Sequence, residues 1–65
     1  MADEQSVRDY VGLREPEALQ LAIVRCDSIR ITWKDGNYRI VTRDLHRDRV
    51  NIEIEDNRVT NSYLG

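Results

Sequence analysis

The sequence predicts a single small α+β domain in which one helix packs on a small mixed sheet. Apolar residues recur at helical spacing between Glu15 and Cys26, whereas residues 29–34 and 49–55 alternate between apolar and polar side chains, as strands do. A chain of 65 residues has room for one such domain. Its stability should be modest, because folding at this length buries only about 60% of the unfolded surface.

The N-terminus is polar, so residues 1–9 are predicted to be flexible and the domain to span residues 10–65. The acidic and polar N-terminus is not expected to act as a secretory signal, and no apolar run approaches the roughly 20 residues of a membrane helix. We therefore expect no membrane partner. The protein is either cytoplasmic or secreted, since removal of a leader from a secreted protein would leave the same sequence.

The helix is predicted near residues 15–26. Pro16 is compatible only with a first turn, which fixes the start near Arg14 or Glu15. Arg14 is a weak N-cap, so a frayed first turn is expected. Cys26, at the other end, is predicted to be a small buried apolar residue, with a redox role as the alternative. Two neighbouring stripes at helical spacing predict the helix: Ala18, Leu21, Ala22 and Arg25 form one, and Leu19, Ile23 and Cys26 form the other.

The first strand is predicted to place Trp33 in the core, because this residue alternates in phase with Ile29 and Ile31. The following Asp35-Gly36-Asn37 is a strong turn signal. Residues 38–42 then either return as the second arm of a hairpin or rise into an exposed loop. Both are compatible if the pairing is short and stops near residue 40.

The second strand is the clearest in the chain. One face carries Val50, Ile52 and Ile54, and the other carries Asn51, Glu53 and Glu55. Asp56-Asn57 is predicted to turn the chain into a weaker terminal strand over residues 58–64. The apolar helix face and strand faces together predict a two-layer core.

The charges limit the classes of partner. Ten basic and 12 acidic residues are well mixed and give a formal net charge of −2, which argues against a nucleic-acid binder. RNA binding through the arginines is the remote alternative, carried by Arg30, Arg39, Arg43 and Arg47. One cysteine and one histidine exclude an internal disulfide and a Cys/His zinc site. No cofactor or metal is expected.

The chain is not expected to be an enzyme. His46-Arg47-Asp48 matches the start of a kinase catalytic loop, but no glycine-rich loop or strand lysine accompanies it. Neither Ser28 nor Ser62 lies in a motif that would make it a nucleophile for His46.

The order of residues 40–51, IVTRDLHRDRVN, followed by an alternating strand, points to a function. The chain also has a Tyr10-Val11-Gly12-Leu13 segment before the helix and a tail that ends in Gly65. In this order of features the chain resembles the potato inhibitor I and eglin superfamily of serine protease inhibitors. The resemblance is greatest to the small microbial branch, which includes fungal elastase inhibitors, and covers about residues 10–65.

The resemblance implies reversible, substrate-like inhibition by an exposed loop over residues 40–48, which joins two parallel strands. The scissile bond would be Arg43-Asp44. The residues that would contact the protease are Ile40, Val41, Thr42, Arg43, Asp44, Leu45 and His46. Relatives usually carry Met or Leu in place of Arg43, so this arginine favours a trypsin-like pocket with a buried Asp. A subtilisin-like target stays open, because Ile40 suits a hydrophobic subsite.

The resemblance also assigns loop-bracing roles. In relatives the residue matching Arg49 donates hydrogen bonds into the loop, and Asn51 occupies a position where potato-type members often carry a second Arg. A guanidinium offers five donors in a rigid fork, which suits this role. The implied partner is a serine protease bound by a monomer. The alternatives are a non-enzymatic protein-interaction module with the same fold, and a plain charged crossover loop.

Overall fold

The computed structural model describes residues 2–39 and 46–65, and it confirms the α+β prediction. The strands form one mixed sheet in the order β2-β1-β3-β4. Strands β1 and β3 are parallel, whereas the pairs β1–β2 and β3–β4 are antiparallel. In chain order the elements are a 3₁₀ helix (Ser6–Tyr10), α1 (Glu15–Arg25), β1 (Ser28–Lys34), β2 (Asn37–Tyr38), β3 (Arg49–Glu55) and β4 (Arg58–Leu64).

Two tight turns set the antiparallel registers. Asp35 and Gly36 have φ of 49° and 85°, and Asp56 and Asn57 have φ of 52° and 63°. Positive φ at both central residues defines the type I′ turn, whose twist matches that of the strands it joins. The first hairpin is short, since β2 pairs only with the last two residues of β1.

The start of α1 is held by two hydrogen bonds that the weak N-cap alone does not predict. The Arg14 N–H donates to Glu17 Oε1 over 2.9 Å, which is one half of a capping box. The Glu15 N–H donates to the main-chain oxygen of Asn57 over 3.1 Å. The first helical turn is therefore tied to the β3–β4 turn.

The core lies between α1 and one face of the sheet. Tyr10 is the largest fully buried residue, and the helix contributes only small side chains at its closest approach. Ala2 and Val7 belong to the same core, and Ser62 Oγ donates to the main-chain oxygen of Val7 over 2.6 Å. The predicted boundary before residue 10 is thus not the edge of the packed core; the flexibility of residues 1–9 stays a prediction. The buried core comprises Ala2, Val7, Tyr10, Ala18, Ala22, Val50, Ile52, Ile54 and Val59.

The Tyr10 hydroxyl donates a 2.7 Å hydrogen bond to Asp27 Oδ2 and so joins the 3₁₀ helix to the chain before β1. Burial and the Asp27 carboxylate raise the pKa of Tyr10. The protonated tyrosine is therefore favoured by folding, and this stability is complete below pH ~10, the unfolded pKa, and falls as the pH rises further.

Tyr10→Phe should lower the free energy of unfolding by about 1–2 kcal/mol at neutral pH, because a buried hydrogen bond is lost. The variant should also lose stability less steeply than the parent above pH ~10. Urea unfolding at pH 7 and at pH 10.5 measures both effects. Parallel stability curves for the two proteins would show that Tyr10 does not titrate with unfolding.

Cys26 is exposed, so the prediction that it is buried is wrong. It follows the last residue of α1 with φ of 59° and ψ of 33°, the left-handed conformation that ends many helices. Its main-chain N–H donates to the Ile23 carbonyl over 3.2 Å. Cys26 shares a stripe of the helix with Leu19 and Ile23, and Ile23 is 70% exposed, so this stripe faces solvent.

Cys26→Gly should raise the free energy of unfolding by about 0.5–1 kcal/mol, because glycine adopts positive φ without the steric cost of a Cβ. Cys26→Ser is the matched control: it removes the thiol and keeps the Cβ, so it should leave stability within about 0.5 kcal/mol of the parent. Chemical denaturation of the three proteins provides the comparison. Equal stabilisation by serine would assign the effect to the thiol.

A β-bulge at Thr32 changes which face of the sheet Trp33 occupies. Ile31 pairs with Ile52, but the next pairs are Trp33 with Glu53 and Lys34 with Ile54. The extra residue reverses the alternation of side chains beyond it. Trp33 is therefore only partly buried and lies on the Glu53 face, and its predicted place in the core is wrong. Lys34 instead turns towards the helix, where its Nζ lies 2.8 Å from Glu15 Oε1.

Candidate functional site

The sheet face opposite α1 carries a compact group of polar residues. Strand β3 directs Val50, Ile52 and Ile54 into the core, so the residues between them point to the other face. We call this group the polar platform. It comprises Arg30 and Thr32 on β1, Arg49 and Asn51 on β3, Tyr63 on β4, and Gly65 after β4.

Asn51 is the centre of the platform and is 0% exposed. Its Nδ2 donates to the main-chain oxygens of Tyr63 and Gly65, over 3.3 and 3.2 Å. Its Oδ1 accepts a hydrogen bond from Arg30 Nε. Both ends of the amide therefore have partners, as a buried polar group requires.

Arg49, at the start of β3, binds the same tail. Its Nε donates to the Gly65 oxygen over 2.9 Å, and its main-chain oxygen accepts from the Gly65 N–H over 3.0 Å. A Cβ added to Gly65 would lie 3.3 Å from Asn51 Nδ2, so the close approach of the tail suits glycine. Gly65 thus joins the two bracing residues predicted from the sequence.

Thr32 and Tyr63 close the platform on the side away from Gly65. Thr32 Oγ1 lies 3.1 Å from the Tyr63 hydroxyl and 3.4 Å from the main-chain oxygen of Ile52. Thr32 is buried at the bulge, so these contacts satisfy a hydroxyl that water does not reach. The platform consequently links β1, β3 and β4 through side chains as well as through the sheet ladder.

Most of the predicted protease-contact residues, Ile40, Val41, Thr42, Arg43, Asp44 and Leu45, lie outside the described residues. His46 is described and exposed, and it lies three positions before Arg49, the first residue of β3. On the other side, the Arg39 N–H donates to the Thr32 carbonyl over 3.0 Å. The chain therefore leaves the described sheet beside Thr32 and returns to it at Arg49, two members of the platform.

No protein-family model, curated protein or solved structure matches this chain. Among residues 2–39 and 46–65, no group of three or more His, Cys, Asp or Glu side chains is arranged to hold a metal ion. The same residues contain no helix long and apolar enough to cross a membrane. The chemistry of the platform is that of hydrogen bonding between fixed donors and main-chain oxygens.

Arg49 and Asn51 were predicted from the sequence to have a bracing role, whereas the other members of the platform were not. The position of Arg30 on the polar face could be predicted, because Arg30 alternates with Ile29 and Ile31. Its contact with Asn51 could not be predicted, because it depends on the parallel register of β1 and β3. No local sequence signal pointed to Tyr63 or Gly65.

Proposed function

We propose that this protein is a reversible, substrate-like serine protease inhibitor. In this proposal residues 40–48 enter the protease active site, and Arg43-Asp44 is the scissile bond. The observation that carries it is the convergence of Arg49 and Asn51 on Gly65 at the point where the chain re-enters the sheet. A fixed group of donors at that point suits a loop that must keep one shape.

The physical argument concerns entropy. A peptide that is ordered before it binds loses little further freedom on binding, and the saving appears as affinity. Residues 40–42, Ile-Val-Thr, favour extended backbone, the conformation in which proteases bind substrates. An inhibitor of this kind also resists turnover, since the cleaved ends are held together and can rejoin.

The two ends of the segment support this argument. Arg39 is hydrogen-bonded to β1 and Arg49 begins β3, and these two strands are adjacent and parallel. The segment is thus flanked at both ends by the two central strands of the sheet. With both ends fixed, a short connection has fewer conformations than a free loop of the same length.

The target class follows from the side chain before the proposed scissile bond. A guanidinium at Arg43 complements the buried carboxylate of a trypsin-like specificity pocket. A subtilisin-like protease is the second target in this proposal, because Ile40 offers an apolar side chain to a hydrophobic subsite.

The test is inhibition of trypsin and subtilisin by the purified protein, with mass spectrometry of the products over time. Saturable inhibition with slow cleavage confined to the Arg43-Asp44 bond is the expected result. The chain has ten basic residues, so selective cleavage at one of them is informative. Rapid cleavage at many arginines, without inhibition of either enzyme, would overturn the proposal.

A protein-interaction module is the second candidate, and the surface beside β1 favours it. Tyr38 is 85% exposed and lines a groove with Leu19, Ile29 and Ile31. Among the described residues, β2 covers only the end of β1, so its Ser28–Ile31 edge has no strand on that side. Such an edge can accept an extended peptide.

Tyr38→Ser should leave trypsin inhibition within about twofold of the parent if the loop is the functional site, because surface changes away from a contact have small effects.

A further inference from the structure

A partly buried contact between an arginine and an asparagine connects the first strand of the sheet to the tail. Arg30 and Asn51 are directly opposite in the parallel register, and Arg30 Nε donates to Asn51 Oδ1. The other end of that amide donates to the main-chain oxygens of Tyr63 and Gly65. We propose that Arg30 is a positioning residue that orients the Asn51 amide and thereby secures Gly65. This role rests on the proposed function in so far as the secured tail supports the inhibitory loop.

The orientation of the amide decides whether Gly65 is held. With Oδ1 towards Arg30, Nδ2 faces two acceptors and all the contacts are favourable. With the amide reversed, Nδ2 would face the guanidinium and Oδ1 would face two main-chain oxygens. Donor would then meet donor, and acceptor would meet acceptor. Arg30 therefore stabilises the one orientation in which Asn51 binds the tail.

Because Asn51 is buried, loss of its contact with Arg30 is costly. Asn51 is fully buried, so Oδ1 has no access to water that would replace a lost donor. A charged donor forms a stronger hydrogen bond than a neutral one. Removing the Arg30 donor leaves Oδ1 unsatisfied, and the amide then turns or shifts to find a partner. Either movement weakens its hold on Gly65.

The test is amide hydrogen exchange followed by NMR. The Gly65 N–H donates to Arg49, so its exchange rate reports whether the tail stays in place. In Arg30→Met, which keeps an unbranched apolar chain and removes the donors, the Gly65 amide should exchange about tenfold or more faster than in the parent. Core amides of β3, such as Ile52 and Ile54, should change by less than about threefold, and Arg30→Lys should give partial recovery. Arg14→Met is the matched control and should match the parent, because Arg14 is exposed and lies opposite Arg58, at the end of β4 away from Gly65.

A second variant makes the test independent of whether Arg30→Met folds. Asn51→Ala, with Arg30 intact, should also release Gly65, and adding Arg30→Met to it should accelerate exchange by less than about twofold more, because the two residues act in series. Parental Gly65 exchange in Asn51→Ala would overturn the proposal. So would a change in Arg30→Met that is uniform across β3. The exchange experiment uses no protease, so a failed inhibition assay would overturn the proposed function and leave this result standing.

Discussion

Replacing Arg43 with Leu should weaken trypsin binding by about 2–5 kcal/mol, or roughly 30- to several-thousand-fold. The proposed contact pairs the Arg43 guanidinium with a buried carboxylate in the protease, and truncating one partner leaves the other charge buried and unpaired. The same variant should keep or improve inhibition of subtilisin- or chymotrypsin-like enzymes, whose pockets accept apolar side chains. Inhibition curves for both variants against both enzyme classes provide the measurement.

Arg14→Leu is the matched control for this experiment. Arg14 is an exposed arginine at the start of α1 and lies outside residues 40–48. It should alter trypsin inhibition by less than about threefold, since exposed charges away from the pocket affect mainly the rate of encounter. Equal losses in the two leucine variants would mean that general charge, and not Arg43 itself, governs binding.

The second large effect is expected for Arg49→Ala. This change removes the charge-assisted hydrogen bond from Nε to the Gly65 oxygen, worth about 1.5–3 kcal/mol. The variant should be cleaved by the target protease about tenfold or more faster than the parent, because a less ordered loop fails to hold the cleaved ends together. Helix content should stay nearly constant, since Arg49 lies on the sheet face away from α1.

Circular dichroism and a time course of cleavage test this prediction together. Arg14→Ala serves as the control, because Arg14 is exposed and lies opposite Arg58, at the end of β4 away from Gly65. An Arg49→Ala protein that inhibits as well as the parent and resists cleavage equally would show that Arg49 does not support the loop. A loss of helix signal would instead assign Arg49 to global stability.

The elements were predictable where one local pattern determined them. The strict alternation of residues 49–55 gave β3 its observed bounds. Pro16 set the start of α1 at Glu15, and the Asp35-Gly36 pair formed the tight turn that its composition favours. In each case local propensity and the tertiary structure favour the same conformation. A short segment was therefore sufficient to predict the element.

The two errors in burial have different causes. Trp33 was assigned to the core because the alternation of β1 was extended through Thr32, where the bulge inserts a residue. Cys26 was predicted to be buried because it shares a stripe with Leu19 and Ile23, but Ile23 is 70% exposed, so this stripe of α1 faces solvent. An apolar stripe beside the core face does not by itself show which side of the helix the sheet covers.

The candidate site was predictable only in part, for a similar reason. Arg49 and Asn51 came from a resemblance over residues 40–51, and both lie in the platform. Arg30 belongs to another strand, and its role depends on the parallel register that brings it opposite Asn51. Pairing between distant segments is set by the whole sheet and leaves no trace in a short sequence window.

The bulge at Thr32 also determines what the intrinsic fluorescence of this protein reports. Trp33 is the only tryptophan in the chain, and it lies, partly exposed, on the same sheet face as Asn51. Its emission therefore responds to changes in polarity and solvent contact on that face, whereas far-UV ellipticity follows α1 on the opposite side. One unlabelled sample thus gives separate optical signals for the two layers of the domain.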